Sequence, residues 1–104
     1  MSVLSIDMVG FNHYLSRVGQ EDALSTLNRS FALFQFIVHQ FGGHIDSVSG
    51  DAMIAVFNHP FELKNHENQG VKAGIAILEA SSRLEISRPE GGTVVFRVGL
   101  AIGE

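Results

Sequence analysis

Residues 42–57 read Gly42-Gly43-His44-Ile45-Asp46-Ser47-Val48-Ser49-Gly50-Asp51-Ala52-Met53-Ile54-Ala55-Val56-Phe57. His44 to Ser49 has the length of a strand and is weakly apolar. Ser49-Gly50-Asp51 supplies a tight turn, and Ala52 to Phe57 is a second, strongly apolar strand that Pro60 ends. The stretch predicts a β-hairpin, and what flanks it decides the rest of the fold.

Upstream, the period becomes helical. Leu24, Leu27, Phe31, Phe34, Val38 and Phe41 recur every three or four residues, a single stripe of an amphipathic helix. Glu21 and Asp22 favour its N-terminus, and Gly42-Gly43 stops it. Phe36, with Leu33 and Ile37, widens the apolar arc, as in a deeply buried helix or, as the alternative, an oligomer contact. Further upstream, Val3 to Val9 is a short apolar strand. Gly10 and Asn12 end it, and a polar helical stretch runs to about Val18.

Downstream, Gly70 to Leu84 predicts a second long helix on Val71, Ile75 and Leu78, with Ala73, Ile77, Ala80 and Leu84 beside them. Gly70 and Gly74 cost helix propensity, which points to close packing on the sheet. Arg88-Pro89-Glu90-Gly91-Gly92 is a loop. Val94, Phe96, Val98, Leu100 and Ile102 then alternate with Thr93, Val95, Arg97, Gly99 and Ala101, a strand with one buried face. The order strand, helix, strand, strand, helix, strand predicts an α+β, ferredoxin-like βαββαβ fold: an antiparallel sheet with two helices on one face. Residues 1–104 are expected to form one domain.

Composition narrows the function. The 104 residues are 45% hydrophobic, which argues against intrinsic disorder. The absence of cysteine excludes disulfides and thiolate chemistry. A net charge of -4 with scattered cations is a poor match to nucleic acid, so no nucleic-acid partner is expected. No apolar run approaches the ~20 residues of a membrane segment, and the N-terminus lacks a basic leader. A cytoplasmic setting is the expectation.

Topology then singles out two carboxylates. A right-handed first crossover leaves a gap beside the first strand, which the third strand enters antiparallel. Asp7, near the end of the first strand, would meet Asp51, at the start of the third, across roughly 4.8 Å of strand spacing. Leu4, Ile6 and Met8 form the larger apolar set of the first strand, so Asp7 falls on the helix-free side. Two such carboxylates repel unless a proton or cation lies between them. A divalent metal with phosphate ligands resolves this, and a glycine turn before a helix can close on an anion. The plainer alternative makes Asp7 a helix cap and Asp51 a turn residue. Five histidines, at 13, 39, 44, 59 and 66, show no spacing that converges on zinc.

Val3-Leu4-Ser5-Ile6-Asp7-Met8-Val9-Gly10-Phe11-Asn12 resembles the opening motif of the class III adenylyl and guanylyl cyclases. The Gly42-Gly43 pair, Ser49-Gly50-Asp51, the run to Phe57, the helix after His66, and Arg97-Val98-Gly99-Leu100-Ala101-Ile102-Gly103-Glu104 are similar to later family motifs, in order. The resemblance implies that Asp7 and Asp51 hold two Mg2+ or Mn2+ ions with the backbone carbonyl of Met8. It implies that amides from Val9, Gly10, Phe11 and Asn12 meet the phosphates of a nucleoside triphosphate. It also implies a site shared across a homodimer or with another cyclase domain. The product would be a 3',5'-cyclic nucleotide.

Three departures accompany it. Asn12 replaces the usual Thr or Ser, and Ser47 stands at a base-reading position without selecting ATP or GTP by charge. The family's later catalytic segment is missing after Glu104. The expectation is therefore a partial domain, intact in its metal-binding half and with little turnover alone. A silent pairing or ligand-sensing module is the alternative, and an unrelated ferredoxin-like binding domain a third. Diguanylate cyclases share a similar core, but their Gly-Gly-Asp-Glu-Phe turn is absent.

Overall fold

In the computed structural model the hairpin forms where the sequence puts it, with β2 at His44–Ser49 and β3 at Ala52–Phe57. The structure describes residues 1–57 and 66–103; the Pro60 stop, His59 and Glu104 lie outside the described residues. Before the hairpin come β1 (Ser2–Met8), α1 (Phe11–Val18) and α2 (Gln20–Gln40). After it come α3 (His66–Leu84) and β4 (Phe96–Ile102). The sheet order is β2-β3-β1-β4, and every neighbouring pair is antiparallel. This is the expected ferredoxin-like α+β arrangement, with α1 as a third helix packed on α2.

Alternation along the strands separates two faces. Leu4, Ile6, Met8, Met53, Ala55 and Phe57 are buried beneath the helices. Phe34 of α2 meets Phe96 of β4 edge-to-face at 4.9 Å between ring centroids, joining helix layer to sheet. The α2 C-terminus closes as a Schellman motif: Gly42 N–H donates to the His39 carbonyl and Gly43 N–H to that of Val38. The two glycines serve different needs. Gly42 has φ 85, and Gly43 is the surface against which the Phe57 ring lies, since a Cβ there would stand 2.5 Å from Phe57 Cε2.

The helix faces depart from the expected stripes. On α2, Ala23 is buried and Leu24 is not, and Phe36 is 58% exposed although the widened arc predicted burial. On α3 the stripe Val71, Ile75 and Leu78 faces outward, and Gly70, Ala73, Gly74 and Ile77 face the sheet. The reason is proximity. A Cβ on Gly70 would lie 3.1 Å from Leu100 Cδ1, and one on Gly74 would touch Leu4 and Val98 at 3.5 Å. The helix sits so near the sheet that small residues fit between them, which is the close packing expected of its glycines. β4 begins at Phe96 rather than Val94, and its last apolar residue, Ile102, is exposed.

Candidate active site

The C-terminal end of β1 lies between two neighbours. Asp7 pairs with Ala52 on one side and with Arg97 on the other. One residue on, Met8 N–H donates to the Asp51 carbonyl at 3.4 Å. Asp7 and Asp51 thus belong to one rim of the sheet. Asp7 is half-buried on the helix-free face, because Leu4, Ile6 and Met8 take the other. Met8 buries its side chain and keeps its backbone at the rim.

Arg97 is the site residue that sequence reading treated only as part of a motif. Its Nε donates to Asp7 Oδ1 at 3.1 Å and its Nη2 to Oδ2 at 2.9 Å, a fork across both oxygens. The hydrogen bonds that Arg97 donates to Asp7, then the charge of Asp7, and then that of Asp51 hold the guanidinium above its ordinary value. Its side chain is 70% exposed, so solvent screens the pair and its contribution to stability is small.

Beyond Met8 the chain turns into α1. Gly10 is the N-cap in the left-handed region, φ 69, and no side chain caps the helix. The first helical bond runs from Tyr14 N–H to the Gly10 carbonyl at 3.0 Å. The amides of Phe11, Asn12 and His13 precede it and have no acceptor within the helix. Val9 differs from the expectation for it. Its N–H donates to the Val95 carbonyl at 2.8 Å and is already spent. An anion at this turn would meet Gly10, Phe11 and Asn12.

Ser47 owes its place to an irregularity. Ile45 pairs with Ala55 and Ser47 with Ile54, leaving Asp46 as the extra residue of a β-bulge. Ile54 also pairs with Ser5, so the bulge puts Ser47 on the helix-free face with Asp7. Without it, Asp46 would take that register position.

The donor set is oxygen. Among the described residues no group of three or more His, Cys, Asp or Glu gathers as a metal site. Two carboxylates with backbone carbonyls suit a hard cation such as Mg2+, which fills its remaining positions with water and substrate phosphate. His13 faces Glu90 at 3.4 Å. Among the described residues no helix is long and apolar enough to cross a membrane.

Comparisons with known proteins agree with this architecture. An adenylate cyclase from Mycobacterium tuberculosis is 32% identical over 102 residues, covering 98% of this chain and 23% of that protein. The chain spans about a quarter of this curated relative. The guanylate cyclase domain of RhGC from Catenaria anguillulae, in complex with GTP, superposes with TM-score 0.83 at 24% identity, over 95% of this chain and 53% of that one. The adenylyl cyclase CyaB from P. aeruginosa gives TM-score 0.81 at 23% identity, with the same coverage. The family model for the adenylate and guanylate cyclase catalytic domain matches residues 1–104, and to that family the chain belongs.

Proposed function

We propose that this chain carries the metal-binding half of a class III nucleotide cyclase site, converting a nucleoside triphosphate to a 3',5'-cyclic nucleotide and pyrophosphate. The observation that carries the reading is the register of β1, with Asp7 beside Ala52 and Met8 N–H on the Asp51 carbonyl. It sets Asp7 of β1 and Asp51, which leads into β3, at one rim, next to a helix N-terminus whose first amides have no acceptor within the helix.

Asp7 and Asp51, with the Met8 carbonyl, would hold two divalent ions, Mg2+ or Mn2+. When bound, the ions supply a more acidic 3'-hydroxyl and neutralise charge on the attacking and leaving oxygens. Gly10, Phe11 and Asn12 orient the triphosphate through their amides, aided by the positive end of α1. In the reaction the ribose 3'-oxygen gives its proton to solvent water and bonds to the α-phosphorus. The bond from that phosphorus to the bridging oxygen breaks, and pyrophosphate leaves with the electron pair. Ser47 stands on the same face and can hydrogen-bond a base without choosing between ATP and GTP by charge. A second cyclase domain would complete the site from the helix-free face.

One observation favours the silent alternative: Arg97 already satisfies both Asp7 oxygens. Calorimetric titration of Mg2+ or Mn2+ with ATP or GTP, on wild type and Asp51→Asn, separates the two. Triphosphate binding that requires metal and is lost in the variant supports the cyclase site. Binding indifferent to both metal and variant assigns the chain to the silent class.

A further inference from the structure

Residues 86–94, between α3 and β4, form a small hairpin of their own. Ser87 bridges to Thr93, and Val94 N–H donates to the Ile86 carbonyl at 2.7 Å. Inside that ladder Arg88 N–H donates to the Gly92 carbonyl at 2.9 Å, and Gly91 N–H donates to that of Arg88 at 3.0 Å. Arg88 then reaches out of this frame toward the turn between β1 and α1. Its Nη2 donates to the Val9 carbonyl, and its Nη1 to Glu90 Oε2 at 3.3 Å. Only 16% of the Arg88 side chain is exposed, against 70% for Arg97, so this guanidinium is packed in place.

The consequence lies in one peptide unit. The Val9 carbonyl and the Gly10 N–H belong to the same planar group and point in opposite directions. Arg88 holds the carbonyl from one side, and Val95 holds the Val9 N–H one unit earlier. The direction of the Gly10 N–H is thereby set. A bond to a cation also polarises the peptide and strengthens its N–H as a donor. The guanidinium fills the space beside Gly10, where a Cβ would stand 3.3 Å from Nη2. With φ 69 this gives two separate reasons for glycine at that position.

We propose that Arg88 is a positioning residue for triphosphate binding: it fixes the Val9–Gly10 peptide so that the Gly10 amide, and those after it, face the phosphates. The inference rests on the cyclase-site reading of that turn. Arg88 acts through the backbone, since its two Nη groups are engaged by Val9 and Glu90, and it leaves the Asp7 and Asp51 rim untouched.

The test compares two ligands on the full chain: Mn2+ alone, followed by electron paramagnetic resonance, and Mn2+ with ATP or GTP, followed by calorimetry. Arg88→Ala is expected to keep Mn2+ affinity within about twofold and to weaken the metal–triphosphate complex about tenfold, the scale of one charge-assisted hydrogen bond. The Gly10 amide resonance should shift in the same variant, and Arg88→Lys should restore part of both effects by offering one donor. Unchanged triphosphate affinity in Arg88→Ala overturns the inference, as does an equal loss of Mn2+ and triphosphate. Should Arg88→Ala fail to fold, Arg88→Lys decides on the same two measurements, with an intermediate triphosphate loss expected and none overturning. Wild type that binds no metal–triphosphate overturns the cyclase-site reading itself and removes this inference with it. Wild-type binding with an indifferent Arg88→Ala overturns this inference alone.

Discussion

The two faces of the sheet are built on opposite rules. Toward the helices, Leu4, Ile6, Met53 and Phe57 are wholly buried, and contact distances are short enough that Gly43 and Gly70 have no room for a side chain without movement of a neighbour. Away from the helices, Ser5, Ser47, Gly99 and Arg97 are exposed, Asp7 is half-buried, and the Asp7–Arg97 ion pair is screened. One face stores stability and has little tolerance for change. The other has little stability to lose and can keep charged groups ready for a ligand. Substitutions should therefore move folding on one face and binding on the other.

The largest effect should come from the aromatic contact that ties the helix layer to β4. Phe34→Ala is expected to cost about 3–5 kcal/mol in denaturant unfolding, through lost transfer energy and the cavity left behind. Next comes Gly43→Ala. Its methyl would meet three atoms of the Phe57 ring at 2.5–2.9 Å, and that buried ring has little freedom to retreat, so about 1–3 kcal/mol of overpacking should appear. On the open face, Arg97→Gln should leave the denaturant midpoint almost unmoved, since solvent screens exposed pairs. It should also free Asp7 and tighten binding of Mn2+ alone by roughly threefold, measured by paramagnetic resonance. A large stability loss from Arg97→Gln, or none from Phe34→Ala, would break the contrast between the faces.

How much of this was legible in sequence follows from what sequence encodes. The hairpin from His44 to Phe57 could be read because composition, turn residues and length agree over fourteen positions. That Asp7 and Asp51 lie at one rim was legible because chain order and crossover handedness leave few ways to pair β1 with β3. The outward face of α3 was not. Hydropathy marks Val71, Ile75 and Leu78 as apolar, but the distance from helix to sheet decides which stripe fits, and that distance is a property of the packed whole. This gives a sharp check: Ile75→Gln should shift stability by less than about 0.5 kcal/mol, and Ile77→Ala, two residues away, by about 2–5 kcal/mol. The roles of Arg97 and Arg88 were also out of reach. Their partners lie 90 and 79 residues away, and only the β1–β4 register and the bent 86–94 segment bring them together. For Val9 the residue that follows this segment reversed the expectation, because Val95 claims its amide first.

The smallest effect belongs to the contact that steadies Arg88. A hydrogen bond from its own backbone holds the Glu90 carboxyl below its ordinary 4.5; burial opposes this, and Arg88 and His13 assist it. A folded value lower than the unfolded one means that folding favours the carboxylate. The associated stabilisation is complete above about pH 4.5 and disappears as acidity carries Glu90 through its lowered folded value. Glu90→Gln, which cannot ionise, should thus melt slightly below wild type near neutral pH, and the gap should close on acidification. Melting temperatures of both proteins across the acid range would show it. A gap that widened toward low pH would mean that Glu90 is held by something other than its charge, and that Arg88 keeps its place on Val9 without that carboxylate.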